Sequence, residues 1–274
     1  MSPTTASNGA AAPSGRRART LAVTSGKGGV GKTFITANLA AALAKRGLRV
    51  LVLDADLGLA NLDVVLNLYP KLTLHDVFTS KCKLEDAILP APGGFSVLLA
   101  GSGLVEYSRL TPEVRDQLHQ VIEAVVPRFD VILLDTGAGI SDVVLYAISL
   151  AEEVLVVATP EPTSLTDAYA TIKVLASQQE RSSLHLAINQ VLRAGDGKQV
   201  AHQLQQVVDR FVACRNGAPP RLSFVGDVPL DTAVREAVQK RHLLIEKQPG
   251  SAAAQAVGAI ATRLQQMQDK AARA

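Results

Sequence analysis

The sequence predicts an α/β fold: one domain whose mostly parallel sheet is covered by helices on both faces. Three observations carry that prediction. Short, continuously apolar runs alternate with longer segments of helical period, the pattern of strands buried on both faces and joined by crossover helices. Glycines and aspartates gather directly after the apolar runs, at the carboxyl ends where such sheets bind ligands. No linker or internal repeat divides the 274 residues, of which 47% are apolar, enough for one large core.

The elements follow in order. "MSPTTASNGAAAPSGRRART" has no apolar periodicity, so residues 1–19 are expected to be a disordered leader and residues 20–274 the folded domain. The leader is poor in acids and carries Arg16, Arg17 and Arg19, as transit peptides do, but it lacks an amphipathic face, and the arginines are read as solvated. "LAVTS" is the first strand. "KTFITANLAAALAKRG" is a helix with Ile35, Leu39 and Leu43 at i, i+4 and i+8 and Gly47 as its stop. "RVLVLDAD" and "FSVLLAG" are strands, followed by a helix through "VRDQLHQVIEAVV" and the strand "VILLDTG". The helix "DVVLYAISLA", the strand "EVLVVATP" and the helix "LTDAYATIKVLAS" continue the alternation, and "LHLAINQV" and "LSFVGDVP" complete the strands before a terminal helix.

Composition excludes several classes. A net charge of +3 is too small to imply nucleic acid or an acidic membrane by itself. Cys82 and Cys214 are far apart and lack metal-type spacing, which suits reduced thiols in the cytosol. No apolar run reaches the roughly 20 residues of a membrane span, and the start of the chain lacks a secretory h-region, so a cytoplasmic protein is expected.

The chemistry concentrates in "GKGGVGKT". Gly26, four residues, then Gly31-Lys32-Thr33 is the phosphate-binding loop pattern, here between a strand and a helix, so the fold is expected to be a single P-loop NTPase domain. Glycines let successive N–H groups converge on phosphate oxygens, and the helix that follows adds the positive end of its dipole. Lys32 would reach the β- and γ-phosphates and Thr33 would ligate Mg²⁺. Asp135 ends one apolar strand as a Walker B carboxylate does. Asp54 and Asp56 end another and are expected to point apart and do different jobs. The guanine signature Asn-Lys-x-Asp is absent and "LHLAINQV" ends in Asn189-Gln190, so ATP is the expected nucleotide.

"KGGVGKT" resembles the deviant Walker A loop of the MinD/ParA ATPases, and the resemblance runs from about Thr20 to the terminal helix. It implies that Gly26, Lys27, Gly28, Gly29, Val30, Gly31, Lys32, Thr33 and Phe34 form the ATP loop. It further implies that Lys27 crosses an ATP-sandwiched homodimer to the other subunit's phosphates. Asp56 would orient the attacking water, Asp54 and Asp135 would lie around Mg²⁺, Asn189 would read adenine, and Pro229 and Asp231 would belong to a loop over the base. "DTGAGIS", "TPEPTSLTDAYATIK" and "DADLGLANLDVVLNLYPKLTLHDVF" resemble the flagellar-number regulators, FleN or FlhG. That branch implies a slow regulatory ATPase, cytoplasmic or transiently at the membrane or cell pole. Its partners are an SRP-type GTPase (FlhF), a master flagellar transcription activator and flagellar ring proteins.

Three features depart from the branch. Residues 1–20 lack the Asp-Gln-Ala-x-x-Leu-Arg segment that stimulates the GTPase. Phe34 replaces the usual Thr or Asn. The terminal helix, with Val257, Ile260, Leu264 and Met267, has no aromatic residue, and such a face packs on a sheet more often than on lipid. The alternative reading is a ParA-like DNA-segregation or cargo-positioning ATPase. Arg193, Lys198, Arg210, Arg215 and Arg221 offer a basic surface, but Asp196 and Asp209 interrupt it, so direct DNA binding is disfavoured. Iron-sulfur relatives need cysteines that this chain does not have.

Overall fold

The computed structural model describes residues 17–58, 60–101, 109–193 and 195–271. Among these residues the strands are β1 (Arg19–Ser25), β2 (Val50–Ala55), β3 (Ile88–Pro90), β4 (Ser96–Leu98), β5 (Val131–Ala138), β6 (Glu153–Ala158), β7 (Ser183–Val191) and β8 (Arg221–Pro229). They form one sheet in the order β3-β4-β2-β5-β1-β6-β7-β8. Every pairing is parallel except that of β3 with β4. The helices are α1 (Lys32–Ala44), α2 (Leu62–Leu66), α3 (Leu74–Phe78), α4 (Leu84–Ala87), α5 (Pro112–Val125) and α6 (Asp142–Ser149). They continue with α7 (Pro162–Gln178), α8 (Asp196–Phe211), α9 (Thr232–Gln239), α10 (Leu244–Lys247) and α11 (Ala252–Ala271).

The period of two divides each central strand between two cores. Leu51, Leu53, Ile132 and Leu134 face one side, where Leu118 and Ile122 of α5, Ile148 of α6, Ile172 of α7 and Val208 of α8 cover them. Val50, Val52, Val131 and Leu133 face the other, under Ile35 and Leu39 of α1 and Val257, Ile260 and Leu264 of α11. Residues 34–43 of α1 are all buried, because α1 lies between the sheet and α11 and also touches α2 and α10. α5 starts as its sequence directs: Thr111 Oγ1 accepts the Val114 N–H at 3.3 Å, and Pro112 occupies the first turn, where its missing donor costs nothing.

Several expectations change on inspection. The strand "RVLVLDAD" stops at Ala55, and only Ser96–Leu98 of "FSVLLAG" pairs. Residues 57–94 contain three short helices and β3, each too brief to show a period. Arg19 is not part of a solvated cluster. It opens β1 with a buried side chain that donates to both Glu153 oxygens, its Nη2 to Oε2 at 2.6 Å, and to Leu264 O at 2.9 Å. Arg17 pairs with Glu123 at 3.0 Å and Ala18 is buried, while residues 1–16 of the expected leader lie outside the described residues. The apolar face of α11 is spent on the core, since Val257, Ile260 and Leu264 are at most 1% exposed. Among the described residues no helix is long and apolar enough to cross a membrane.

Candidate functional site

The phosphate loop leaves β1 between its neighbours β5 and β6 and runs straight into α1. Two glycine requirements are visible. Gly31 precedes the first turn of α1 with φ 89°, a left-handed conformation that disfavours a side chain. Gly26 lies so close to α7 that an added Cβ would come within 2.2 Å of the Asp167 backbone. Gly28, Gly29, Gly31, Lys32, Thr33 and Phe34 line a cleft of about 730 Å³ together with Asp56 and Gly137. This volume lies within the usual range for a small-molecule site, and the amino end of α1 supplies about half a positive charge to it. Phe34 is 7% exposed and joins the core with Val30 and Ile35, so the aromatic ring is accommodated by packing.

Two carboxylates stand side by side in the sheet, Asp54, next to last in β2, in register with Asp135, which does not end its strand as expected because β5 runs on to Ala138. Both are at most 3% exposed. Burial, and then the Asp135 carboxylate, push Asp54 well above the ordinary carboxylate range. Burial also raises Asp135, against the opposing pull of Lys32 and hydrogen bonds from Thr33 and Thr36. Thr36 Oγ1 lies 3.0 Å from both Asp135 Oδ1 and Lys32 O. Asp54 Oδ1 accepts the Asp56 N–H at 3.2 Å, while Asp54 Oδ2 is buried without a hydrogen-bond partner.

The hydroxyl of Thr33, which lines the cleft, and the buried carboxylates of Asp135, hydrogen-bonded to it, and of Asp54 beside that are oxygen donors of the kind Mg²⁺ takes, although neither carboxylate itself lines the cleft. That ion takes oxygen ligands, keeps several waters and is usually held by one or two carboxylates together with phosphates. No group of three or more His, Cys, Asp or Glu among the described residues makes a ready-built metal cage. Asp54 and Asp56 do part, though strand alternation is not the reason, because residues two apart share a face. They part because β2 ends at Ala55, so Asp56 lines the cleft while Asp54 borders a separate cavity of about 330 Å³.

The remaining expected residues lie around the loop rather than inside the cleft. Lys27 Nζ donates to Glu161 Oε2 and Thr163 Oγ1, each at 2.9 Å, at the start of α7. Asn189 is 6% exposed and touches the loop backbone, with Nδ2 donating to Val30 O at 2.7 Å. Pro229 ends β8. Asp231 caps two helices at once, accepting the N–H of Ala233 in α9 at 2.9 Å and of Ala253 in α11 at 3.1 Å. Neither Pro229 nor Asp231 lines the cleft. Four residues that the sequence reading did not single out join the site: Ser25, whose hydroxyl donates to Lys27 O at 2.9 Å, with Thr36, Glu161 and Thr163. For Glu161 and Thr163 the signal was positional, since they follow the end of β6.

Similarity to known proteins agrees with this geometry. The ParA family, described as "NUBPL iron-transfer P-loop NTPase", matches residues 16–265. The two cysteines cannot share an iron site in this fold: Cys82 lies just before α4 beside β3, and Cys214 lies near Arg181 beside β7, toward opposite edges of the sheet. "Antiactivator FleN" of Pseudomonas aeruginosa is 43% identical over 244 residues, covering 89% of this chain and 85% of that protein. "Flagellum site-determining protein YlxH" of Helicobacter pylori is 33% identical over 243 residues, covering 88% and 80%. Among solved structures, the septum site-determining protein MinD of Pyrococcus horikoshii complexed with Mg-ADP superposes with a TM-score of 0.72 at 29% identity, covering 90% of this chain and 96% of that one. The chain therefore belongs to the MinD/ParA family of P-loop ATPases, in the branch that includes FleN and YlxH.

Proposed function

We propose that this protein is an Mg-ATP-dependent dimerisation switch, slow in hydrolysis, that regulates flagellar number and placement. The observation that carries this reading is the position of Lys27. Its ammonium lies outside the cleft that its own loop builds, against Glu161 and Thr163, where it serves a second subunit's phosphates better than its own. In this reading Gly26 to Phe34 cradle the triphosphate and Lys32 neutralises its β- and γ-phosphates. Thr33, Asp54 and Asp135 would hold Mg²⁺, which would supply positive charge to neutralise what develops on the phosphates. Asp56, the carboxylate that lines the cleft, orients the attacking water. A cation supplied across a dimer interface stabilises the same charge, and it also makes the nucleotide state readable as oligomeric state.

Similarity to FleN and YlxH supports flagellar regulation as the output; the FlhF-type GTPase, the master activator and the ring proteins are the partners this reading proposes. The setting is the cytoplasm, with transient residence at the pole. The apolar face of α11 is buried and is therefore not offered to a membrane.

Phosphate release from Mg-ATP by wild type and Asp56→Ala, with ATP affinity measured alongside, tests the assignment. The variant should bind ATP almost normally and turn over at least about a hundredfold more slowly. Unchanged turnover would remove Asp56 from its role.

A further inference from the structure

We infer that the outer edge of β8 is a docking site for a partner protein, which adds an extended acidic segment to the sheet as one more parallel strand. The site lies apart from the nucleotide cleft, and the two share no lining residue. The sheet has two edges, and they differ. β3 is three residues long and ends in Pro90, a short, proline-blunted edge of the kind that resists pairing. β8 is nine residues long, and β7 pairs with only one side of it.

The direction of each backbone group follows from the ladder. Arg221 donates its N–H to Ser182 O at 2.8 Å, so its backbone points at β7. Alternation then turns the backbone groups of Leu222 and Phe224 outward. Their bonds agree: the Leu222 N–H goes to Gln205 Oε1 at 2.6 Å, and Phe224 O accepts from Arg263 Nη1 at 3.3 Å. Two side chains thus take the places of a neighbouring strand's C=O and N–H. Leu222 O and the Phe224 N–H, the pair that flanks Ser223, have no partner among the described residues. One residue of a parallel strand, set opposite Ser223, bonds both. The register shifts after Phe224, which confines the site to the first half of β8.

Charge defines the occupant. Alongside lies a groove of about 460 Å³ lined by Lys198 and His202 of α8, Leu222 and Phe224 of β8, and Arg263 of α11, and among the described residues no carboxylate lines it. Lys198 and His202 are one turn apart and share a helix face. Leu222 and Phe224 pack on the core under α8, whereas Val225 belongs to the core under α11. On the added strand, therefore, the residue opposite Ser223 faces α11, and its two neighbours face Lys198 and His202. Acids at those neighbouring positions complement the groove. A nucleic acid has the charge but lacks the N–H and C=O that the edge asks for.

Amide exchange at Phe224, read by NMR on the full chain, tests the site with an acetylated, amidated peptide of alternating Glu and Thr. The peptide should slow exchange of the Phe224 N–H at least about tenfold, as a new ladder bond does. Methylating the Thr amides should abolish that protection and methylating the Glu amides should leave it, because only the residue opposite Ser223 turns its N–H to β8. The double variant Lys198→Glu/His202→Glu changes exposed positions, and it should weaken the peptide about tenfold at an unchanged melting temperature. Absence of binding by wild type, binding that leaves Phe224 exchange unchanged, binding indifferent to Thr methylation, or full affinity in the folded double variant would each overturn the proposal. Random single-stranded DNA that protects Phe224 as the peptide does would overturn it in favour of a nucleic-acid surface.

Discussion

The two ends of the sheet treat a strand carboxylate in opposite ways, one half-buried and paired, the other buried and crowded. At the amino end, Glu153 of β6 is gripped by Arg19 of β1 and by His185 of β7, whose Nε2 lies 2.6 Å from Glu153 Oε2. Against the upward push of burial, these hydrogen bonds hold Glu153 down to about 2. At the carboxyl end, Asp54 and Asp135 face each other and both are raised. One acid is settled inside the chain, while the other pair is left short of positive charge. The first arrangement ties three strands together, and the second leaves two acids crowded behind the phosphate loop.

That contrast can be broken at either end. The largest expected effect is at the cleft: Lys32→Ala should weaken Mg-ATP binding by about a hundredfold, as loss of a charge-assisted phosphate contact would. Calorimetric titration reads this directly, and affinity at the wild-type level would count against the loop assignment.

Next in size is the amino end. Glu153→Gln should cost about 1–3 kcal/mol, because it leaves Arg19 buried with a weakened partner. The sign with pH follows from linkage. A carboxylate lowered from 4.5 to about 2 stabilises the fold fully above pH 4.5, and that contribution is lost as pH falls from 4.5 toward 2. Denaturant midpoints followed through this window should fall more steeply for wild type than for Glu153→Gln.

The smallest effect sharpens the comparison by reversing its sign. Asp54→Asn should raise the melting temperature of ligand-free protein by a few degrees, about 1 kcal/mol, because it removes a crowded buried acid. Since Asp54 is raised, its cost is greatest above its folded value and is relieved as pH falls toward 3.8, opposite in slope to Glu153. Lower stability of Asp54→Asn without ligand at neutral pH would contradict the view that this end is left uncompensated.

What was legible in the sequence was local. The phosphate loop, the apolar strands and the aspartates at their ends are each written within a few neighbouring residues, so pattern and chemistry suffice to find them. What was not legible depends on chain segments that meet only in the fold. Asn189 reaches Val30 across 159 residues, and Lys27 reaches Glu161 across 134. Arg19 was misread because its composition matches the leader before it, whereas its partners Glu153 and Leu264 come from distant elements. α8 escaped because Asp196, Gln199, Gln203 and Gln205 surround the few residues that pack, among them Leu204 and Val208.

The most direct test of the switch is the mass in solution of wild type and Lys27→Ala, measured by light scattering with Mg-ADP and with a non-hydrolysable Mg-ATP analogue. The account predicts a doubling for wild type with the ATP analogue alone. A mass that never depends on nucleotide, or a Lys27→Ala variant that doubles as wild type does, would contradict it.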